Sequence, residues 1–280
     1  MSNKTPMTTE TPADRASIPT TVFTLARLKL RAARAMARAM GMRQIHIAGC
    51  ARSGTNMAHV AMLAFEGVMI SAQETAPDYP ALGPLLRMYR RGEIGRGPTT
   101  LVTKRGFNWS DPEQIDRLIR RLREEELGLL YLVRDPRDVL LSTHVATGTD
   151  SGYVSVERWH KSMLAGERLL AGVAGRPGTL VVRYEDLVLD PVTVQRRIGD
   201  CFGLRLRPGI DSIADLERTI AVSGYQLPEN RVRSMHRIRP FDAQSVGKWR
   251  RTAGADQPVQ RYPGLHDDYR ALSARYGYGD

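Results

Sequence analysis

The stretch that decides the fold is GCARSGTN, residues 49–56. An apolar run, Ile45–Ala48, precedes it with the composition of a buried strand, and Met57–Phe65 follows with the length and composition of a helix. A strand, a glycine-bearing loop and a helix direct successive backbone N–H groups and a helix N-terminus toward one point. The stretch therefore predicts an α/β fold in which this loop binds an anionic group.

Two details distinguish this loop from an ATP-binding loop. Gly49 and Gly54 are five residues apart, as in the outer frame of a Walker A motif, but Thr55 and Asn56 replace its Lys and Ser/Thr. The basic residue lies inside the loop instead, at Arg52. We interpret the loop as a site for a phosphate-like group that is not built like the loop of an ATPase.

Beyond residue 43, apolar segments alternate with amphipathic ones. Strands are predicted at Gln44–Ala48, Gly67–Ser71, Thr100–Thr103, Leu129–Val133 and Thr179–Arg183. Helices are predicted at Thr55–Phe65, Asp111–Leu127, Pro136–Ala146, Val154–Ala174, Pro191–Phe202, Ile213–Ser223 and His266–Tyr276. This alternation predicts an α/β fold with a mostly parallel sheet and helices on both faces, which binds ligands beyond the carboxyl ends of its strands. We expect a disordered tail over residues 1–20, a basic helix over 21–43 and the domain over 44–280.

The composition favours an anionic partner. The 280 residues include 41 Lys and Arg against 30 Asp and Glu, which gives a formal net charge of +11. No zinc, helix-turn-helix or aromatic-rich RNA motif accompanies this charge, so a nucleic acid partner is not expected. Cys50 and Cys201 form neither a disulfide framework nor a zinc ligand set, and no metal is expected. The sequence contains no secretory signal and no apolar run long enough to cross a membrane, which predicts a cytoplasmic location.

A second informative stretch is LYLVRDPRDVLLS, residues 130–142. A buried strand ends at Arg134, Pro136 begins a helix, and Ser142 follows about two helical turns later. Arg134 and Ser142 could hold one phosphate from two sides, through a guanidinium fork and a hydroxyl. Alternatively, the acidic and basic residues of this stretch form ion pairs at the end of the helix.

Four stretches in order give the chain a family resemblance. They are ARSGTN (51–56), RDPRD with Ser142 (134–142), RYEDL followed by Asp190-Pro191 and Phe202–Leu204, and VGKWR (246–250). Over about residues 44–252 the chain resembles sulfotransferases that depend on 3′-phosphoadenosine 5′-phosphosulfate (PAPS). The resemblance implies a P-loop-like α/β sulfotransferase fold, PAPS as co-substrate, adenosine 3′,5′-bisphosphate as product, and no metal.

The resemblance also implies roles for particular residues on both sides of the donor. On the 5′ side, Arg52 takes the place of the basic residue that neutralises the bridging oxygen, beside the backbone amides of Ser53, Gly54, Thr55 and Asn56. On the 3′ side, the phosphate would be held by Arg134 and Ser142, with a closing loop that contains Ser245, Gly247 and Lys248. Tyr184 matches a tyrosine that contacts the adenine in this family.

The catalytic base is where the chain departs from the small-molecule members of the family. Their Lys-Thr-His segment has no histidine here, because the corresponding region reads Thr103-Lys104-Arg105. Carbohydrate sulfotransferases often use a glutamate after the second strand, where this chain has Glu74. We therefore predict Glu74 as the base, with His144 as the alternative, and Lys104 as a possible ligand of the transferred sulfuryl group.

The glutamate and the N-terminal helix together suggest the acceptor. A glycan or glycolipid of the cell envelope, modified at the inner membrane face, is the predicted acceptor. The arginines of residues 21–42 recur every three or four positions, so the helix either lies on an anionic membrane surface or packs on the domain as a solvated cationic helix. A P-loop kinase that uses ATP, and a non-catalytic adaptor for anionic lipid or polysaccharide, are the alternative functions.

Overall fold

A single parallel sheet of five strands organises the computed structural model. The structure describes residues 20–71, 82–92, 94, 99–105, 112–124, 127–142, 153–224, 241–254 and 266–278. The strands are β1 (Met42–Gly49), β2 (Val68–Ile70), β3 (Thr99–Lys104), β4 (Leu127–Val133) and β5 (Thr179–Arg183). They lie in the order β2-β3-β1-β4-β5, and every pairing is parallel. The predicted α/β fold with a mostly parallel sheet is confirmed.

The two faces of the sheet bury two separate hydrophobic clusters. Because side chains alternate along a strand, Leu130 and Leu132 of β4 enter one cluster, while Leu129, Tyr131 and Val133 enter the other. Both faces are covered, which explains why β4 is a nearly continuous apolar run.

Helices connect the strands and cover both faces. The helices of the described residues are α1 (Thr20–Ala39), α2 (Thr55–Ala61), α3 (Leu82–Arg90), α4 (Pro112–Glu124), α5 (Pro136–Leu140), α6 (Val156–Gly172), α7 (Tyr184–Leu189), α8 (Pro191–Phe202), α9 (Leu216–Ser223) and α10 (His266–Arg275). Helices α2, α8 and α9 pack in the cluster of Leu130, and α4, α6 and α10 in the cluster of Tyr131. No helix among the described residues is both long and apolar enough to cross a membrane.

Several boundaries differ from those that the sequence predicted. Strand β1 begins at Met42, two residues before the predicted start, and α2 ends at Ala61, where a 3₁₀ turn, Met62–Ala64, takes over. Two helices, α3 and α7, were not predicted. Helix α3 contains Gly83 and Pro84 in its first turn, and α7 follows β5 directly with no turn residue between them. In both places the local signal for a helix is weak, and tertiary packing determines the structure.

The N-terminal helix packs on the domain along one side. Ala33 is fully buried, and Met36 and Met40 pack with Leu85 of α3 and Leu101 of β3 in a third cluster. Arg31 and Arg38 are exposed on the same helix. The C-terminal half of α1 is therefore part of the folded domain and still presents arginines to solvent.

Candidate functional site

The loop after β1 forms a compact turn at the N-terminus of α2. Arg52 adopts a positive φ of 71°, alone among the non-glycine residues that the structure describes. The Ser53 N–H donates to the Cys50 carbonyl at 3.1 Å, which closes the turn, and Gly54, with φ 86°, stands at the N-terminus of α2 with no side-chain cap. A non-glycine residue in the left-handed region is energetically costly and marks functional turns. The conformation of this loop is therefore held by its surroundings.

Arg134, at the end of β4, holds this loop to a distant segment of the chain. Its Nη1 donates to the Arg52 carbonyl at 3.1 Å, and its Nη2 donates to the Ser245 carbonyl at 2.8 Å. Its guanidinium carbon lies 4.1 Å from the centroid of the Tyr184 ring. The Nε atom of Arg134 is buried and has no hydrogen-bond partner among the described residues. A buried cationic donor without an acceptor is the group that an anionic ligand would satisfy.

Tyr184 and Ser245 complete this cluster. The Tyr184 hydroxyl and the Ser245 Oγ are 2.7 Å apart, and Ser245 Oγ also donates to the Asp242 carbonyl at 2.5 Å. Tyr184 follows β5 directly and is buried, so its ring is held between Arg134 and the loop. The structure thus brings together residues that the sequence predicted from four separate stretches, namely Arg52, Gly54, Arg134, Tyr184 and Ser245.

Lys104 lies at the same edge of the sheet, at the end of the neighbouring strand. It pairs in register with Ile47 of β1, it is 1% exposed, and its Nζ donates to the Asn56 Oδ1 in the first turn of α2. The loop lacks the lysine of a Walker A motif, but β3 supplies an ammonium group beside it. Positive charge therefore enters the loop region from a different strand.

Two further predicted residues, Ser142 and Lys248, lie near Asp138 of α5. The Ser142 hydroxyl donates to the Asp138 carbonyl at 2.7 Å, one turn earlier in the chain. Lys248 is exposed, and Gly247 beside it is buried and donates its N–H to Asp138 Oδ2 at 2.8 Å. Glu74 and His144, the two predicted bases, lie outside the described residues.

Two acidic residues that the sequence analysis did not assign organise this edge of the sheet. Asp138 accepts backbone N–H groups from the segment after Ser245, and Asp135 caps α5 and pairs with Arg137 at 2.9 Å. The alternative predicted the ion pairs Arg134–Asp135 and Arg137–Asp138. The structure instead pairs Arg137 with Asp135, and Arg134 binds two carbonyls. Both acidic residues stand in the RDPRD stretch, but nothing in their spacing indicates the distant partners of Asp138.

Glu185 stabilises the loop that carries Arg134. It accepts the Asp135 N–H at 3.0 Å and the Tyr278 hydroxyl at 2.6 Å, and burial raises its pKa above the usual range. Its position beside Tyr184 in the RYEDL stretch was the sequence feature that could have indicated its part in the site. Glu185 ties the C-terminal end of the chain to the loop that carries Arg134.

Buried titratable groups near the loop belong to the core. Burial raises the pKa of Cys50 to about 12, and burial, with Arg121 and Arg105 nearby, lowers the pKa of His46 to about 3. The first is a neutral thiol and the second a neutral imidazole at physiological pH. Among the described residues, no group of His, Cys, Asp and Glu is arranged to hold a metal ion.

Comparisons with known proteins identify the fold. No protein-family model matches the chain, and no curated protein sequence matches it. The structure is similar to the sulfotransferase domain from the curacin biosynthetic pathway, with a TM-score of 0.52 and 14% identity over 84% of this chain and 97% of that one. It is also similar to the sulfotransferase domain of the Synechococcus PCC 7002 olefin synthase, with a TM-score of 0.52 and 16% identity over 85% of this chain and 95% of that one.

At these identities the similarity establishes the fold. The chain has a sulfotransferase-type fold, in which the loop of Arg52 and the strand end of Arg134 meet at one edge of a parallel sheet.

Proposed function

We propose that the protein is a PAPS-dependent O-sulfotransferase. The observation that carries the proposal is the environment of Arg134, which binds the carbonyls of Arg52 and Ser245 and keeps a buried Nε without a hydrogen-bond partner among the described residues. The half-buried guanidinium of Arg134, between the loop of residues 49–56 and the segment of Ser245, fits a ligand with two anionic groups. A nucleotide with 5′ and 3′ phosphates has that arrangement, whereas a nucleotide with all its phosphates on one side does not.

The 5′ side of the proposed site comes from the loop and from β3. The donor, when bound, supplies a sulfuryl group on a phosphate that leaves as adenosine 3′,5′-bisphosphate. Backbone amides of Ser53–Asn56 would orient that phosphate, and Arg52 and Lys104 would place positive charge where negative charge develops during transfer. Lys104 suits this role because Asn56 fixes its ammonium group and burial strengthens its electrostatic effect.

The 3′ side comes from β4, α7 and the segment that contains Ser245. Arg134 and Ser142 would bind the 3′-phosphate, with Ser245, Gly247 and Lys248 closing over it. Tyr184 would contact the adenine next to Arg134, which rests on its ring. The proximity of these residues in the fold supports the assignment, since Tyr184 touches both Arg134 and Ser245.

The proposed acceptor is a hydroxyl group of a glycan or glycolipid, and Glu74 is the proposed base. Glu74→Gln should lower turnover with little effect on donor affinity, because the amide cannot accept the hydroxyl proton. The rate of sulfate transfer and the affinity for adenosine 3′,5′-bisphosphate measure the two effects separately. A fully active Glu74→Gln variant would transfer the role of base to His144, which His144→Gln then tests.

The decisive experiment compares two nucleotides. Isothermal titration of the protein with adenosine 3′,5′-bisphosphate and with magnesium-ATP should give the tighter binding for the bisphosphate. Tighter binding of ATP would contradict the proposal and favour a kinase. Incubation with ³⁵S-labelled PAPS and a crude envelope extract should then yield a labelled product, while binding of the bisphosphate without any labelled product would favour an adaptor.

A further inference from the structure

A short segment near the C-terminal end crosses the edge of the sheet at the site. We call Asp242–Thr252 the strap. It contains two 3₁₀ turns, Ala243–Ser245 and Lys248–Arg251, separated by Val246 and Gly247. The first turn presents Ser245 to Arg134 and Tyr184, and the second lies against α5. The strap therefore has one end in the site and one end outside it.

The outer end is attached by both oxygens of a single buried carboxylate. Asp138 is 1% exposed; its Oδ2 accepts the Gly247 N–H at 2.8 Å and its Oδ1 accepts the Trp249 N–H at 2.9 Å. Gly247 has a φ of 63° and begins the second 3₁₀ turn with no side-chain cap of its own. Asp138 thus supplies from α5 the capping acceptor that this turn lacks in its own sequence.

The residue before Asp138 holds the strap by its side chain. The guanidinium carbon of Arg137 lies 3.6 Å from the centroid of the Trp249 ring, and Arg137 is fixed by its ion pair with Asp135. Arg250 approaches the same ring at 4.8 Å. Arg137 and Asp138 therefore bind one strap residue, Trp249, through its ring and its backbone at once.

We propose that Asp138, assisted by the stack of Arg137 on Trp249, is a positioning residue that sets the strap in register with the 3′ side of the nucleotide site. Gly247 follows Ser245 by two residues, so a displacement at Asp138 reaches the carbonyl that Arg134 binds. The proposal rests on the proposed function for the identity of the ligand.

The isosteric variant D138N separates this role from a general loss of fold. A carboxylate accepts two N–H groups, but an amide accepts with one oxygen and turns an NH₂ donor toward the other N–H. The variant should bind adenosine 3′,5′-bisphosphate at least tenfold more weakly, while its affinity for adenosine 5′-monophosphate, which lacks the 3′-phosphate, changes less than twofold. Asp190→Asn is the matched control, since Asp190 accepts the Thr193 N–H at 3.1 Å at an exposed helix start.

Hydrogen exchange of the free protein provides a second readout. The amides of Gly247 and Trp249 should exchange much faster in D138N, while amides of β1 and β4 keep their protection. Equal loss of affinity for both nucleotides, or wild-type affinity for both, would overturn the proposal. If D138N does not fold, Trp249→Ala is titrated with the same two nucleotides. An unchanged preference of Trp249→Ala for the bisphosphate over the monophosphate would also overturn the proposal. Failure of the wild-type protein to bind the bisphosphate would instead contradict the proposed function, and the exchange of Gly247 and Trp249 would still decide whether Asp138 holds the strap.

Discussion

The ring of Tyr184 lies directly against Gly54. A Cβ atom at position 54 would stand 2.4 Å from the Tyr184 Cδ2, closer than any real contact of that kind, and the φ of 86° at Gly54 also disfavours other residues. The same ring carries the Arg134 guanidinium on it, at 4.1 Å. Position 54 therefore needs a glycine both because the Tyr184 ring leaves no space for a Cβ atom and because its φ is positive. The loop and the Arg134 cluster are in direct contact.

Gly54→Ala should weaken the binding of adenosine 3′,5′-bisphosphate by at least tenfold. The added methyl group pushes the Tyr184 ring away, and with it the surface on which Arg134 rests. Gly175→Ala is the matched control, because Gly175 has a φ of 70° and a Cβ atom added there would meet nothing within 4 Å. Titration calorimetry on both variants measures the difference, and equal affinities would show that the contact with Tyr184 does not matter.

Arg134→Ala should cost roughly 1–2 kcal/mol in binding of the bisphosphate, the value of one charge-assisted contact. The loss has to be measured with a folded variant, which a thermal melt establishes. Arg168→Ala serves as the control, since Arg168 pairs with Asp116 on the surface, and about half of its side chain is exposed. An unchanged affinity for Arg134→Ala would remove this residue from the site.

Lys104→Met should lower the rate of sulfate transfer by about 100-fold and change the affinity for the bisphosphate by less than about threefold, since a buried cation acts mainly on charge that develops during transfer. Methionine keeps the length of the side chain and removes its charge. The measurement is kcat and KM with the acceptor fraction that the labelled donor identifies. A variant with weakened binding and normal kcat would make Lys104 a binding residue only.

His46 should make the stability of the protein depend on pH in the acidic range. Its pKa falls from 6.5 to about 3 in the folded protein, mainly because the imidazole is buried, with Nδ1 3.0 Å from Thr103 Oγ1. The unfolded chain takes up a proton below pH 6.5 and the folded chain does not. The contribution of His46 to the free energy of unfolding is therefore fully present above pH 6.5. It is lost as the pH falls toward 3, by about 1.4 kcal/mol per pH unit.

Urea unfolding at pH 7.0, 5.5 and 4.5 measures that slope. His46→Gln keeps a polar group in the core but does not titrate, so its free energy of unfolding should decline less steeply over the same range. Equal slopes for the two proteins would assign the acid sensitivity to other groups.

The N-terminal helix gives a prediction about membranes. We expect Arg31→Glu with Arg38→Glu to reduce binding to vesicles that contain anionic lipid, because both arginines are exposed on α1. Deletion of residues 1–42 is a poor test, since Ala33 and Met36 pack in the core and Met42 begins β1. Charge reversal at Arg168 and Arg196, on other helices, controls for net charge. Equal vesicle binding by both double variants would leave α1 with a structural role only.

The sequence predicted those parts of the fold that rest on local signals. Strand β5 and helix α8 have the bounds that were predicted, because an apolar run marks the first, and Asp190-Pro191 and Gly203 mark the ends of the second. The extra strand residues at Met42 and Leu127 could not be predicted, since pairing with neighbouring strands determines where a strand begins. Helices α1 and α4 end earlier than predicted, at Ala39 and Glu124, because the strands that follow them begin earlier.

The sequence predicted which residues belong to the candidate site, but it did not predict the contacts between them. Motif order indicated Arg52, Arg134, Tyr184 and Ser245, and the structure brings them into contact. The partners of Asp138 are 109 and 111 residues away in the chain, and no spacing rule connects an aspartate on a helix to amides so distant. The catalytic roles of Glu74 and Lys104 stay predictions.

The hydrogen bonds of Arg134 join residues far apart in the sequence, and this affects folding during synthesis of the chain. Its two carbonyl partners lie 82 residues before it and 111 residues after it. All five strands have left the ribosome once Arg183 has emerged, so the sheet can assemble on a nascent chain that still lacks Ser245. Such a chain lacks part of the proposed nucleotide site, so the mass-action stabilisation expected from a bound nucleotide begins only after translation is nearly finished.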